Sequence, residues 1–359
     1  MSTSGLTLEQ VALRLGAFRL ASVDLAVEPG EVLVLLGPNG AGKSVTLEAI
    51  AGFHRLDSGR ILLGARDITD MPPERRRISL LFQNFALFPH LSAAGNVALA
   101  LRAAGLAPAL PRITELLARF GVAPLADRLP ELLSPGEKQR VALARALAGQ
   151  PELFLFDEPF SALDAPTRAA LRDGLKEFLR QAGAPSVFVT HDPVEALALA
   201  DRLALLRDGA VIQSGAAADV YRAPADRLAA RLLGVENILP VRLVERAGLG
   251  WRIAVGEAVL ELPGSNAPHA LPPELFLCLR AEDVALAAAA GDRQSASPSN
   301  RLAARVIAIR HAGALLKVSL DCGFPLVAAL TQRDARALDL ASGIPLIADI
   351  DPLAIRLVG

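Results

Sequence analysis

The stretch Glu31 to Gly52, EVLVLLGPNGAGKSVTLEAIAG, constrains this chain more than any other. A short apolar run, Val32 to Leu36, reads as a buried strand; a glycine-rich turn follows, and a helical pattern opens at Lys43. Gly37, Gly40 and Gly42 let the backbone turn tightly enough for successive N–H groups to face one anion. The helix N-terminus adds its partial positive charge. The spacing is that of a phosphate-cradling loop, made of Gly37, Pro38, Asn39, Gly40, Ala41, Gly42, Lys43, Ser44 and Val45. Lys43 is expected to reach the β/γ-phosphates and the Ser44 hydroxyl to hold Mg²⁺. The alternative is an ordinary Gly-rich strand-to-helix turn. The strand before and the helix after supply the context that the phosphate site requires.

At 359 residues the chain is long for one domain, so two or more are expected. A formal net charge of -1 argues against a nucleic-acid partner held by bulk charge. Cys278 and Cys322 lack CxxC spacing, which gives neither a zinc site nor a disulfide framework and fits a reduced cytosol. The start, MSTSGLTLEQVALRL, has no basic region followed by a long apolar core, so no signal peptide is expected. The apolar runs fall short of the roughly 18 residues that a membrane span needs. Membrane association is therefore expected to come through a partner.

Further along, Ile78 to Phe82 reads as a buried strand ending at Gln83, where an open α/β sheet places ligand-binding groups. A plain loop glutamine is the alternative reading. From Ser92 to Leu132 the pattern is helical with breaks, a small insert. Ser134 stands three residues before Glu137, a capping box, with Pro135 at the first helical position, where its missing N–H costs least. Leu153 to Phe156 is a strand ending in Asp157-Glu158-Pro159; beside a phosphate loop, this carboxylate pair suits Mg²⁺ binding and water activation. Ser161-Ala162-Leu163-Asp164 then caps a helix that runs through Gln181. Ser186 to Val189 is another buried strand, ending in Thr190-His191. Four strand-end groups, Lys43, Gln83, Glu158 and His191, are thus expected on one side of one sheet.

These motifs carry a resemblance. GPNGAGKS, Gln83, LSPGEKQRVALARAL, LFLFDEP, SALD and Thr190-His191 stand in the order and spacing of the ATP-binding cassette (ABC) ATPases, over residues 5 to 235. The resemblance implies an α/β P-loop NTPase fold with a helical subdomain at about 85–150, and ATP and Mg²⁺ as cofactors. It implies that Asp157, Ser44 and Gln83 bind Mg²⁺, that Glu158 polarises the attacking water, and that His191 contacts the γ-phosphate. Two cassettes face head to tail in this family, so Ser134 and Gly136 are implied to touch the nucleotide of the other subunit, and Glu137 and Asp164 are implied among the nucleotide-binding residues. The chain departs from the family where Pro135 replaces a glycine and Glu137 a glutamine. The usual adenine-stacking aromatic is missing from its place, with Phe18 the nearby candidate.

Past about Glu236, short β-like segments separated by turns suggest small all-β, OB-like barrels over 236–359. The polar stretch GDRQSASPSN, Gly291 to Asn300, is expected to divide them, with a second segment from about 297 to 359. GVENILPVRL, LRAEDVAL, SPSNRLAARV and GALLKVSLDCGFPL resemble the accessory (TOBE-like) barrels of importer ATPases, and the last two resemble the oxyanion-binding barrel of molybdate and tungstate importers. By that resemblance Ser297, Asn300, Lys317 and Gly323 would hold a tetrahedral oxyanion; a plain turn between barrels is the alternative.

Together these resemblances imply the ATPase subunit of a molybdate or tungstate importer. It would work as a homodimer on the cytoplasmic side of the inner membrane, docked on two transmembrane permease subunits fed by an extracytoplasmic binding protein. Phe85 to Leu91 and the helical insert would receive the permease, and the barrel would give feedback inhibition by the anion. Sulfate, iron(III), polyamine and sugar importers share this organisation. Soluble ABC ATPases usually carry tandem cassettes or a coiled-coil insert, and a molybdate-responsive regulator needs a DNA-binding helix pair.

Overall fold

The computed structural model describes residues 4–247, 250–266, 273–289 and 300–359. Contacts divide the chain into two units, Met1–Tyr221 and Arg222–Gly359.

The first unit opens with two ten-residue strands, β1 (Leu6–Leu15) and β2 (Phe18–Val27), paired antiparallel. Then β3 (Val32–Leu36), buried at every position, runs through the glycine loop into α1 (Lys43–Ala51). Next come β4 (Ser58–Leu63), β5 (Arg66–Asp67) and β6 (Ile78–Leu81). Three helices, α2 (Ala93–Ala103), α3 (Leu110–Arg119) and α4 (Pro135–Ala148), stand before β7 (Leu153–Asp157). The remainder is α5 (Ala165–Ala182), β8 (Ser186–Thr190), α6 (Pro193–Leu199), β9 (Arg202–Arg207), β10 (Ala210–Ala216) and α7 (Ala217–Arg222).

Two sheets form, one ordered β10-β9-β3-β8-β7-β6 and one ordered β2-β1-β4-β5. In the first, every pairing is parallel except that of β10 with β9. Its central strands are unbroken apolar runs because both faces are covered. One face packs into a core that joins Leu33, Leu35, Leu155 and Val187 to Leu47 and Ile50 of α1 and to Leu6, Leu20 and Val23 of the antiparallel sheet. The register sets Leu36 opposite Thr190, Val189 opposite Asp157 and Phe156 opposite Leu81. The C-terminal ends of β3, β8, β7 and β6 therefore emerge at one edge, where ligands bind in such sheets.

A buried cation locks α1 in place. Arg76 is 2% exposed and donates from Nε to the Met71 carbonyl (2.7 Å), from Nη1 to those of Ile50 (2.8 Å) and Ala49 (3.2 Å), and from Nη2 to that of Thr69 (2.7 Å). Two of these carbonyls lie in the last turn of α1, the negative end of the helix dipole, where a cation is favoured. Burial lowers the Arg76 pKa, and Asp70 and Asp67 oppose the shift.

The second unit opens with α8 (Arg227–Leu232), capped by Asp226, whose Ala230 packs with Val235, Phe276, Cys278 and Val358. The boundary read from the sequence, 235/236, lies beyond this helix. The strands follow in order: β11 (Asn237–Ala247), β12 (Gly250–Val255), β13 (Ala258–Pro263), β14 (Leu275–Leu279), β15 (Val284–Ala288), β16 (Asn300–Ala312), β17 (Leu315–Asp321) and β18 (Pro325–Thr331). After α9 (Gln332–Ala337) come β19 (Pro345–Ile350) and β20 (Arg356–Val358). They form two curled antiparallel sheets, β13-β12-β11-β14-β20 and β15-β19-β16-β17-β18. β15 precedes the Ser-rich stretch yet pairs with β19, and β20 returns from the C-terminal end to pair with β14. The segments on either side of that stretch thus exchange strands. One core runs through both sheets, with Ile253, Leu260 and Leu277 alongside Val318, Leu326 and Ile350. Both cysteines are free; burial pushes the Cys278 thiol up to about 12 and the Cys322 thiol up to about 11, so neither is reactive at neutral pH.

Candidate nucleotide-binding site

The loop after β3 makes its turn with Gly40 and Gly42 at φ of 80° and 101°, both in the left-handed region that favours glycine. Gly37 is needed for a different reason: a Cβ there would strike the Leu206 carbonyl oxygen. Gly37→Ala is expected to cost about 1–3 kcal/mol of strain and to weaken ATP binding about tenfold, read by calorimetric titration.

Lys43, the first residue of α1, is buried, and its Nζ donates to the Gly37 carbonyl at 2.8 Å and the Pro38 carbonyl at 3.0 Å. Burial lowers its pKa, while Glu158 and Asp157 oppose the shift. The ammonium is thus held inside the loop by two neutral oxygens, partners that an anionic phosphate would outbid.

Asp157 closes β7, and its carboxylate bonds to the Ser44 side chain. Burial raises its pKa; the Ser44 bond opposes this, Glu158 and Glu48 add to it, and Lys43 lowers it. A hydroxyl and a carboxylate side by side at the phosphate loop are hard oxygen donors, the set that Mg²⁺ takes when substrate phosphates complete its shell. They fit the ion. Among the described residues no group of three or more His, Cys, Asp or Glu could hold a metal unaided.

Glu158 has φ 47°, an uncommon value for a non-glycine residue, which turns its carboxylate across the ends of the neighbouring strands. Its Oε1 lies 2.9 Å from His191 Nδ1, beyond the end of β8, and its Oε2 lies 3.4 Å from Gln83 Nε2, beyond β6. The side chain of Glu158 is 15% exposed and that of His191 62%. The carboxylate therefore sits between two polar groups with one side open to an incoming ligand. Gln83, Glu158 and His191 are brought together at one sheet edge, with Lys43 within electrostatic reach of the carboxylates. Phe18, at the start of β2, places its ring tip against Gly42, so it borders the loop.

The helix α4 starts at the expected capping box. Glu137 N donates to Ser134 Oγ (3.3 Å), and Ser134 N donates to Glu137 Oε2 (2.7 Å), with Pro135 in the first turn. These bonds hold the Glu137 pKa down, the Ser134 backbone N–H contributing most. Gly136 sits beside the Ala162–Leu163 turn, where a Cβ would come 3.4 Å from the Leu163 side chain. Asp164 caps α5 by accepting from Thr167 N at 2.9 Å, and that bond lowers its pKa.

Sequence reasoning missed three polar side chains here. Gln139 of α4, fully buried, directs Nε2 at the Glu158 carbonyl (3.5 Å). Glu195 of α6 accepts from the Thr190 hydroxyl one residue before His191, with its pKa raised by burial. Arg145, near the end of α4, donates to the backbone that follows Gln83. A polar residue inside an apolar helical stripe was the available signal for Gln139.

The four residues expected around an oxyanion fare differently. Ser297 lies outside the described residues. Asn300, at the start of β16, accepts from Glu261 N (2.7 Å) and donates to Glu261 O (2.9 Å), which stitches β16 to β13. Lys317 of β17 pairs with Glu236 at 3.0 Å. Gly323 has φ 81° in the turn after β17 and donates its N–H to Asp321. The described polar groups of Asn300, Lys317 and Gly323 are engaged within the chain.

Known proteins share this organisation. The sequence pattern of the family described as ABC transporter matches residues 20–161, and that of the TOBE domain matches residues 296–357. The chain is 43% identical over 251 residues to the Fe(3+) ions import ATP-binding protein FbpC of Agrobacterium fabrum, covering 69% of this chain and 71% of that one. It is 46% identical over 240 residues to the spermidine/putrescine import ATP-binding protein PotA of Frankia alni, covering 66% of this chain and 52% of that one. Among solved structures, the ATP-binding cassette MJ0796, a dimer in a post-hydrolysis state bound to ADP and Pi, matches with a TM-score of 0.54 and 31% identity, over 59% of this chain and 98% of that one. The glycine loop, the carboxylate pair and the glutamine and histidine at neighbouring strand ends therefore stand in a chain that belongs to the ABC transporter ATP-binding proteins and carries a TOBE domain.

Proposed function

We propose that the chain is the ATP-hydrolysing subunit of an importer, acting as a homodimer on the cytoplasmic face of a membrane. The observation that carries this is the meeting of Gln83, Glu158 and His191 at the strand edge that also holds Lys43 and the Ser44–Asp157 pair. The loop N–H groups and Lys43 bind the β- and γ-phosphates. Ser44, Asp157 and Gln83 hold Mg²⁺, which when bound neutralises charge on the phosphate oxygens. Glu158 accepts a proton from a water that attacks the γ-phosphorus, and ADP departs as the bond to the β-phosphate oxygen breaks. His191 orients the carboxylate and touches the γ-phosphate, and Phe18 stands where adenine can stack.

The N-terminus of α4, with Ser134, Gly136 and Glu137, presents N–H donors and a positive dipole end to the nucleotide of the second copy. Asp164 lies at the same face. ATP closes the two copies and hydrolysis reopens them. Two permease subunits would receive the motion through Phe85–Leu91, and a binding protein outside the membrane would deliver the cargo. Among the described residues no helix is long and apolar enough to cross a membrane, which fits attachment through such subunits.

For the cargo, we favour iron(III), on the strength of the 43% identical relative named for Fe(3+) import. A polyamine is the nearest rival. The molybdate or tungstate reading rests on the Ser297–Asn300 turn, and the internal bonds of Asn300, Lys317 and Gly323 weigh against it. The TOBE-containing unit is then a scaffold without anion feedback. Cells lacking the chain are expected to lose iron(III) uptake at least tenfold and to keep spermidine and molybdate uptake. Loss of molybdate uptake, together with tungstate binding to the purified chain in a calorimetric titration, would restore the oxyanion reading.

A further inference from the structure

The segment after Gln83 is held in a conformation its own residues do not favour. Phe85 and Ala86 have φ of 63° and 43°, consecutive left-handed positions with no glycine at either. Such strain persists where the surroundings over-determine the backbone. Arg145, in the last turn of α4, provides that hold. Its Nη1 donates to the Ala86 carbonyl at 2.6 Å and its Nη2 to the Phe85 carbonyl at 2.8 Å, and the guanidinium lies 5.8 Å from the centre of the Phe88 ring.

Among the described residues no carboxylate pairs with Arg145, and burial alone depresses its pKa. A half-buried guanidinium without a counter-charge is a costly way to fix a loop. The far end of the segment is tied separately. Asn96 of α2, fully buried, accepts from Phe88 N (2.9 Å) and donates to the carbonyls of Phe88, Leu91 and Ser92. The segment is thus anchored to α4 at its start and to α2 at its end.

The planar fork explains why an arginine stands here. Two carbonyls in successive strained residues need two donors at fixed separation, which a lysine does not present. Arg145 also shares a helix with Ser134, roughly 16 Å apart along the axis at the usual rise per residue. One rigid element therefore carries the capped N-terminus at one end and the clamp on the Gln83 segment at the other.

We infer that Arg145 is a positioning residue that makes the Phe85–Leu91 segment move with α4, so that nucleotide engaged at the Ser134 end changes the backbone that follows Gln83. This rests on the nucleotide reading of the site. It also goes further, since a purely structural clamp would rigidify the segment without making it respond to nucleotide.

The test is hydrogen–deuterium exchange on the full chain carrying Glu158→Gln to stop hydrolysis, with and without Mg·ATP. Without a change at Arg145, Mg·ATP is expected to alter exchange in the glycine loop, in the first turn of α4 and in residues 84–91. With Arg145→Gln added, the loop and α4 responses persist while the response of 84–91 falls at least fivefold. Arg145→Lys keeps the charge without the fork and is expected to retain no more than half of that response; it carries the test if Arg145→Gln fails to fold. A response of 84–91 in the folded variant equal to that of the unmodified chain would overturn the inference. So would a segment that ignores Mg·ATP while the glycine loop responds. No response at the glycine loop would overturn the nucleotide reading itself.

Discussion

Glu158→Gln is expected to bind Mg·ATP with an affinity within about threefold of the unmodified chain while hydrolysis falls by about 10²–10⁴-fold, the usual contribution of a general base. The geometry makes this substitution unusually clean. Glu158 Oε2 faces an N–H donor, Gln83 Nε2, and Oε1 faces His191 Nδ1. A glutamine can set its carbonyl toward Gln83 and its NH₂ toward Nδ1 once the neutral imidazole carries its proton on Nε2 instead, so both contacts can form while the basic carboxylate is removed. Its φ of 47° is available to glutamine on the same terms. In the proposed cycle hydrolysis reopens an ATP-closed pair of subunits, so the variant is also expected to elute as a dimer in Mg·ATP and as a monomer without it. Single-turnover phosphate release measures the first effect, and size-exclusion chromatography the second. A rate within about fivefold of the unmodified chain would remove Glu158 from the role of base.

The largest effect on stability is expected from Arg76→Met. The four carbonyls that Arg76 serves come from α1 and from the segment before β6, so one side chain joins the helix that carries Lys43 to the edge strand that carries Gln83. Methionine matches much of the volume and offers no donor. Leaving buried carbonyls short of partners costs about 1–3 kcal/mol each. The Ala49 carbonyl also accepts from Gly52 N, so it keeps a partner when the guanidinium is removed. A loss of about 3 kcal/mol is therefore expected, and a midpoint lower by roughly 6–12 °C for a unit of this size. Arg76→Lys is expected to recover less than half, since one ammonium cannot reach four carbonyls disposed around a planar fork. Calorimetric melting of the two variants separates this from a loss of ATP binding alone, because Mg·ATP should still raise both midpoints.

Both effects arise where contacts distant in sequence meet, and that marks what could be read in advance. The glycine loop was legible because its chemistry is contiguous: strand, turn and helix follow one another, and Gly40 and Gly42 answer a local demand of the backbone, whereas the need for Gly37 comes from the Leu206 carbonyl far along the chain. The Ser134–Glu137 box was legible for the same reason, since cap and partner are three residues apart. The strands before Gln83, Asp157 and His191 showed themselves as short apolar runs because the sheet is covered on both faces. Arg76 gave no such signal, nor did Arg145, because an arginine looks alike in sequence whether it faces water or backbone carbonyls.

In the second unit the β-rich character was plain from alternation and turns, whereas the strand exchange was not. β15 and β20 pair across the Ser-rich stretch with strands far along the chain, a choice made by the shared core of Ile253, Leu277, Val318 and Ile350. Asn300 shows the same limit. Its place in a Ser-x-x-Asn turn suggested a ligand, and the fold gives its amide to the backbone of Glu261.

The sequence by itself determined the local units: the phosphate loop, the capped helices, the buried strands and the polar residues at their ends. Only the tertiary structure decided which ends stand together and which polar groups are already engaged. Register and burial are set by the packing of whole sheets, and a hydrogen bond across 39 or 75 residues has no local trace.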